Sequence, residues 1–125
     1  MAEQITMYRG DDKTFPFTLT QGGLPVDLTG AAIVFSARAA LDDETPTLTL
    51  SEADGDITIL PDQATTGKGK ITVTVPAADS VDLDTVTYLA DIQVTLGGAV
   101  WTWPEPVYGE STLIRLRIKG DVTRP

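Results

Sequence analysis

Residues 85–103 read T-V-T-Y-L-A-D-I-Q-V-T-L-G-G-A-V-W-T-W. The segment from Thr85 to Leu96 predicts a long central strand, because apolar residues recur at every second position, as they do on the buried face of a strand. Gly97-Gly98 predicts a two-residue hairpin turn, since such turns need positive φ angles that glycine adopts without strain. Ala99 to Trp103 is then the partner strand, and the pair forms a hairpin.

The same alternation recurs between turn signals along the whole chain, while helical spacing is scarce. With 125 residues, the pattern predicts an all-β fold, a two-sheet antiparallel β-sandwich that forms a single domain over residues 1–125. A turn or so of helix fits P-A-A-D-S-V-D-L at 76–83. The other predicted strands are Gln4 to Arg9, Phe15 to Thr20, Ala32 to Arg38, Pro46 to Ser51, Asp56 to Leu60, Lys70 to Val75 and Thr112 to Ile118.

The composition limits the kinds of site and partner. The chain has no cysteine and no histidine, which excludes disulfide frameworks, thiolate or imidazole zinc sites and Cys-His or Ser-His catalysis. Eighteen acidic against nine basic residues give a formal net charge of −9, which repels nucleic-acid phosphates and anionic lipid. We therefore expect no nucleic-acid partner and no membrane partner. The N-terminal residues lack the basic and apolar regions of a signal peptide, so we expect a soluble protein.

Carboxylates are the most plentiful candidates for chemistry. The segment Glu52-Ala53-Asp54-Gly55-Asp56 offers hard oxygen ligands to calcium, but its spacing departs from that of an EF-hand loop and favours a solvated hairpin turn. Other acidic residues concentrate in predicted loops rather than on apolar strand faces that would raise a pKa. Since no nucleophile, base or oxyanion arrangement is evident, we expect a protein that is not an enzyme, with no catalytic residue, metal or cofactor.

The tripeptide Arg9-Gly10-Asp11 matches an adhesion signal. Glycine and aspartate are also the residues that a turn between two strands requires, and three-residue matches arise by chance, so the pattern favours a turn. In the strand that follows, Phe15, Phe17 and Leu19 share one face. Pro16 lies on the other face and cannot donate to a sheet ladder, which predicts an edge strand or a bulge.

Tyr88 follows the short predicted helix and Asp84. This order resembles a corner of immunoglobulin-like domains, in which a tyrosine lies two residues before the strand-F cysteine. Ala90 stands in the place of that cysteine. The resemblance predicts a hydrogen bond between the Tyr88 hydroxyl and the backbone near Val81 to Asp84. An ordinary half-buried strand tyrosine is the alternative.

Aromatic residues gather in the segment W-T-W-P-E-P-V-Y at 101–108. In the predicted strand, Trp101 and Trp103 point to the same face, and Tyr108 lies beyond a pair of prolines. Three roles fit this pattern: part of the core, the anchor of a protein interface, or a stacking surface for sugar rings. The candidate interface residues are Met7, Tyr8, Trp101, Trp103 and Tyr108.

Several segments follow one another in an order that carries a family resemblance: Arg9-Gly10-Asp11, Phe15-x-Phe17-Thr18-Leu19, Pro25-Val26-Asp27-Leu28-Thr29-Gly30-Ala31, Ile33-x-Phe35-x-Ala37-Arg38, Gly55-x-Ile57-Thr58-Ile59 and Tyr88-x-x-Asp91-Ile92-Gln93-Val94-Thr95. Together they resemble the N-terminal domain of the phage baseplate upper protein family, an immunoglobulin-like β-sandwich of tailed-phage virions. The likeness spans about residues 8–96, with the last hairpin fitting more loosely, and it implies that the R-G-D lies in a turn that connects two strands.

The resemblance implies a structural protein of a tailed-phage virion, synthesised in the cytoplasm of the bacterial host. Its implied partners are other virion structural proteins, with a homo-oligomer as a further option. Family members that act in the baseplate continue into a stem with receptor-binding parts, whereas this sequence stops at Pro125. We therefore expect a small tail or baseplate accessory component. A capsid decoration or neck protein and a carbohydrate-binding module are the alternatives.

Overall fold

The computed structural model describes residues 4–39, 46–104 and 114–120, and β-strands dominate this part of the chain. Every strand predicted from the sequence has a counterpart in it, with ends that differ by a few residues, so the all-β prediction is confirmed. The elements are β1 (Gln4–Tyr8), β2 (Lys13–Thr18), β3 (Thr20–Gln21), β4 (Leu24–Pro25), β5 (Ala32–Arg38), β6 (Leu48–Ser51), β7 (Ile57–Ile59), β8 (Lys70–Val75), α1 (Ala77–Ser80), β9 (Thr87–Leu96), β10 (Ala99–Trp103) and β11 (Ile114–Lys119).

The strands form a six-stranded sheet, a three-stranded sheet and a two-stranded pair. In the six-stranded sheet the order is β1-β11-β9-β5-β6, and β10 also pairs with β9. Strand β9 is central: β5 covers one of its edges, while β10 and β11 share the other edge end to end. The three-stranded sheet has the order β2-β8-β7.

One strand pair departs from the predicted antiparallel arrangement, because β1 runs parallel to β11. Antiparallel pairing is enforced where a tight turn joins two strands. Here Gln4 pairs with Arg115 and Tyr8 with Lys119, so the two strands come from opposite ends of the sequence and no turn fixes their direction. The expectation of an entirely antiparallel fold was therefore wrong for this pair.

The buried faces of the two larger sheets contribute to one hydrophobic core. Phe35 and Ile92 of the six-stranded sheet and Val73 of the three-stranded sheet are fully buried in it. The rings of Phe17 and Trp103 meet edge to face across the core, with centroids 5.7 Å apart and planes at 70°. Burial of each such side chain stabilises the fold by about 1.5–3 kcal/mol, so this shared core is the main source of stability.

Strand β2 confirms two expectations drawn from the sequence. Phe15, Phe17 and Leu19, which follow one another along one face, are all buried. Pro16 is exposed and lies opposite Thr72 of β8, which is the partner strand of β2. Because β2 is an edge strand, the missing N–H of proline leaves no gap inside the sheet.

The Arg9-Gly10-Asp11 segment forms the predicted turn between β1 and β2, and helix α1 holds it in place. Gly10 has a φ of 89°, and its N–H donates to Ser80 Oγ at 2.9 Å. The Ser80 hydroxyl in turn donates to the Asp11 carbonyl at 2.9 Å. Asp12 Oδ1 accepts from the N–H of Ala77 at 2.6 Å and so caps the first turn of α1. The Arg9-Gly10-Asp11 segment therefore serves to connect β1 and β2.

The hydrogen bond predicted for Tyr88 is present. The N–H of Asp84 donates to the Tyr88 hydroxyl oxygen at 2.8 Å, and Tyr88 is only 2% exposed. The bond joins the start of β9 to the loop that arrives from α1. It therefore fixes the corner at which the chain crosses from the smaller sheet to the larger one.

Removing the Tyr88 hydroxyl tests this corner. We expect Tyr88→Phe to lower the free energy of unfolding by about 1–3 kcal/mol, because the N–H of Asp84 loses its acceptor. Urea denaturation followed by tryptophan fluorescence measures the change. Tyr8→Phe is the matched control, since the Tyr8 side chain is exposed; equal losses for the two variants would contradict a structural role for the Tyr88 hydroxyl.

A buried polar side chain that the sequence did not point to joins three loop segments. Gln63 Oε1 accepts from the N–H groups of Leu28 at 2.9 Å and Gly69 at 3.0 Å. Its Nε2 donates to the carbonyls of Leu60 at 2.9 Å and Gly67 at 2.7 Å. Both ends of the amide are therefore satisfied inside the protein, as burial of a polar group requires.

Gln63→Leu tests this contact. The variant leaves the N–H groups of Leu28 and Gly69 without their acceptor, so we expect a loss of about 2–6 kcal/mol in the free energy of unfolding. Gln93→Leu makes the same change at an exposed position of β9, where we expect a change within about 0.5 kcal/mol. Thermal and urea unfolding of both variants provide the measurement, and a mild effect at Gln63 would show that water replaces the amide.

Candidate functional site

The structure separates the residues predicted to form an interface. Met7 is 3% and Trp103 8% exposed, and both belong to the core. Trp101 is half-buried and packs against the core, whereas Tyr8 is 48% exposed. Tyr108 lies outside the described residues. Of the described members of the set, Tyr8 is therefore the one with a large surface available to a partner.

The sequence left three roles open for Trp103: core, protein interface and sugar-stacking surface. Its surroundings in the structure favour the core role. Its ring contacts Phe17, and its Nε1–H donates to Thr20 Oγ1 at 3.3 Å. A stacking surface for sugar rings needs open aromatic faces, and the ring of Trp103 is closed off by the core. The two tryptophans therefore do not form the paired stacking surface that a carbohydrate site would use.

Strand β11 carries three exposed cations on its outward side. In the sequence I-R-L-R-I-K, Ile114, Leu116 and Ile118 are buried and the cations between them are exposed. The exposed cations are Arg115, Arg117 and Lys119. Each lies beside an exposed residue of β1: Gln4, Thr6 and Tyr8 respectively. We call these six exposed side chains the β1–β11 face.

This face differs in charge from the rest of the protein. It holds three of the nine basic residues of a chain with a net charge of −9. Among the described residues, no carboxylate lies on β1 or β11. Asp54, Asp56 and Asp79 lie close enough to one another that burial and the two neighbouring acids raise the pKa of Asp56. A negatively charged partner would thus be attracted to the β1–β11 face and repelled by the acidic turns.

A groove of about 690 Å³ lies at one end of the face. Tyr8, Val86, Arg117 and Lys119 are among the residues that line it, and Val86 is 46% exposed. Backbone bonds hold its walls: the N–H of Ile118 donates to the Val86 carbonyl at 3.0 Å, and that of Arg9 to the Lys119 carbonyl at 2.8 Å. The groove therefore has a mixed lining, in which Tyr8 and Val86 lie beside the side chains of Arg117 and Lys119.

The sequence contains a signal for the β1–β11 face that is separate from its aromatic residues. Three cations at every second position of 114–119 predict one charged strand face on their own. Their importance becomes clear only with the pairing of β1, which places Tyr8 beside Lys119. Tyr8 was a candidate from the sequence, whereas Val86 joins it through the fold.

The acidic segment Glu52 to Asp56 is a turn, but it is not the predicted hairpin. The N–H of Gly55 donates to the Glu52 carbonyl at 3.1 Å, and that of Asp54 to Ser51 Oγ at 3.1 Å. The turn joins β6 to β7, which belong to different sheets, so it carries the chain across the core. Within the described residues there is no group of three or more acidic side chains placed to hold a metal ion.

Comparison with known proteins adds no family assignment, because no protein-family model matches the chain and no curated protein matches its sequence. In the part of the chain that the structure describes, no helix is long and apolar enough to cross a membrane.

Asp91 is the acidic residue on the outward side of the central strand. Its partial burial raises the pKa of the carboxyl group, and the positive charge of Arg38 opposes the rise without cancelling it. Arg38 Nε is itself buried without a hydrogen-bond partner among the described residues. Ionised Asp91 is therefore less stable in the folded protein than in the unfolded chain.

The sign of this pKa shift predicts the behaviour of Asp91→Asn. Because the pKa of Asp91 is higher in the folded protein than in the unfolded chain, ionisation of Asp91 lowers the free energy of unfolding. This loss develops as the pH rises above the pKa of the unfolded chain. We expect Asp91→Asn to be more stable than the parent at pH 7, by less than about 1 kcal/mol since the group is partly solvated, and the difference to vanish below the unfolded pKa. Urea titrations across this range measure it, with exposed Asp82→Asn as the control; a gap that widens on acidification would contradict the assignment.

Proposed function

We propose that this chain is a non-enzymatic structural protein of a tailed-phage virion, a small tail or baseplate accessory component that assembles through protein-protein contacts. Its fold is an immunoglobulin-like β-sandwich. The β1–β11 face is the observation that carries the assembly role, because a cationic sheet face on a strongly acidic chain is suited to one oriented contact with an acidic neighbour.

The strand order supports the immunoglobulin-like assignment. In the constant-type form of that fold, strands A, B, E and D form one sheet, and strands C, F and G form the other. Strand β1, the first in the chain, instead joins the sheet of β5 and β9 through β11. The order β2-β8-β7 corresponds to B, E and D, and β5, β9 and the β10/β11 edge correspond to C, F and G. The bond between Tyr88 and Asp84 lies at the corner that precedes strand F, as the resemblance implied.

The segments that carry the family resemblance occupy places that determine the fold, which supports reading them as one set. In the P-V-D-L-T-G-A segment, Asp27 Oδ1 accepts from the N–H of Thr29 at 3.0 Å and closes a turn. Leu28, between them, is fully buried, and its N–H is held by Gln63. The segment thus brings the chain from β4 to β5 with the N–H groups of Leu28 and Thr29 bonded to side chains.

Purified virions test the proposal. We expect mass spectrometry of gradient-purified particles to detect the chain as a stoichiometric component, and gold-labelled antibody against it to decorate the tail tip in electron micrographs. Label over the head or neck would instead support the capsid decoration or neck alternative, which uses the same kind of contacts. Particles that contain none of the protein, although the infected host makes it, would contradict a virion role.

A further inference from the structure

Within the described residues, no strand pairs with the outer edge of β1. It stands at the end of the six-stranded sheet, and among the described strands it pairs with β11 alone. Natural edge strands commonly carry proline or lysine or are very short, which prevents other strands from adding to them. Strand β2 has Pro16 and Lys13, β7 has three residues, and β6, at the other end of the six-stranded sheet, lacks proline and lysine but has only four residues. Strand β1, Q-I-T-M-Y, has five residues and none of these features.

The cations of β11 lie within reach of anything that pairs with β1. Adjacent strands are about 4.8 Å apart, so a strand added beside β1 would lie about 10 Å from β11. Arg117 sits directly across Thr6, whose short side chain leaves room for the guanidinium to extend over it. The groove beside Tyr8 and Val86 lies at the end of the same row.

We propose that the β1 edge binds an extended, acidic polypeptide segment of a neighbouring protein, which adds as a further strand to the six-stranded sheet. The segment's backbone pairs with β1, and its carboxylates on the outward side meet Arg115, Arg117 and Lys119, the last two of which also line the groove beside Tyr8. This inference rests on the proposed function, because it specifies the chemistry of the partner in those assembly contacts.

Two other occupants fit the observations less well. Nucleic acid would meet the cations, but it cannot pair with a backbone edge, and the net charge of −9 repels its phosphates. A second copy of this chain would have to supply an acidic extended segment. Within the described strands the one acidic residue is Asp91, and it lies on the central strand, which is already paired along both edges.

The test uses the intact chain and two synthetic peptides of the same pattern, acetyl-E-V-E-V-E-V-E-amide and acetyl-K-V-K-V-K-V-K-amide. We expect the acidic peptide to shift the NMR amide signals of β1 and of the groove residues Val86 and Lys119, and the basic peptide to leave them unchanged. Binding of the acidic peptide should weaken as salt is raised above about 0.15 M, since the contacting charges are exposed.

Two triple variants with the same loss of positive charge separate a local contact from general electrostatics. We expect R115Q/R117Q/K119Q to weaken binding of the acidic peptide about tenfold, as the loss of several exposed charge pairs would. K13Q/K68Q/K70Q removes three cations away from the β1–β11 face and should change the affinity less than about twofold. Circular dichroism verifies that both variants are folded.

The opposite outcomes would overturn the inference. These are the absence of β1 shifts at millimolar acidic peptide, equal effects of the two triple variants, or tighter binding of a single-stranded oligonucleotide at the same residues. Self-association in analytical ultracentrifugation that shifts the same β1 amide signals in the absence of peptide would assign the edge to a second copy. If the chain is found in virions but does not bind the peptide, the virion proposal stands and this inference fails. If the chain binds the peptide but is absent from virions, the virion proposal fails and edge binding of an acidic segment stands.

Discussion

The fold depends on the register of strand β9. Its residues Tyr88, Ala90, Ile92 and Val94 all face the core, and a slip of one residue against a neighbour would turn all four toward solvent. Because β5 pairs along one edge and β10 and β11 share the other, the position of β9 sets the register of every strand bonded to it. Strand β1 follows through β11, so the location of the β1–β11 face is ultimately fixed by the burial of β9.

Polar side chains fix the places where the chain leaves one sheet and enters the next. Ser80 satisfies the turn between β1 and β2, Tyr88 the loop before β9, and Gln63 the loops around the start of β8. Each bonds backbone groups that no strand partner reaches, and an unpaired buried N–H or carbonyl costs about 1–3 kcal/mol. These crossings are therefore held by a few specific bonds, while the sheets themselves are held by apolar burial.

The separation of charge gives the proposed contact its direction. Asp54, Asp56 and Asp79 form an acidic cluster, whereas Arg115 and Arg117 lie on the outer face of β11. A neighbour that approached the acidic turns with a negative surface would be repelled, and one that approached β11 would be attracted. Exposed charges of this kind influence encounter rate and orientation more than final affinity, so we expect the backbone edge of β1 to supply much of the binding strength in the proposed contact.

The sequence by itself determined the strands and the hairpin at Gly97-Gly98, because alternation and φ preference depend only on near neighbours in the chain. It left Pro16 between an edge strand and a bulge, and it predicted the Tyr88 bond only through the resemblance to a corner of immunoglobulin-like domains. Tertiary structure decided what each strand face meets. It placed Trp103 in the core, paired β1 in parallel with β11, and gave Gln63 a buried role. The surface with Tyr8, Val86 and Lys119 likewise exists only after folding. Burial and strand partners depend on segments that are far apart in sequence, and no local pattern records which of them will meet.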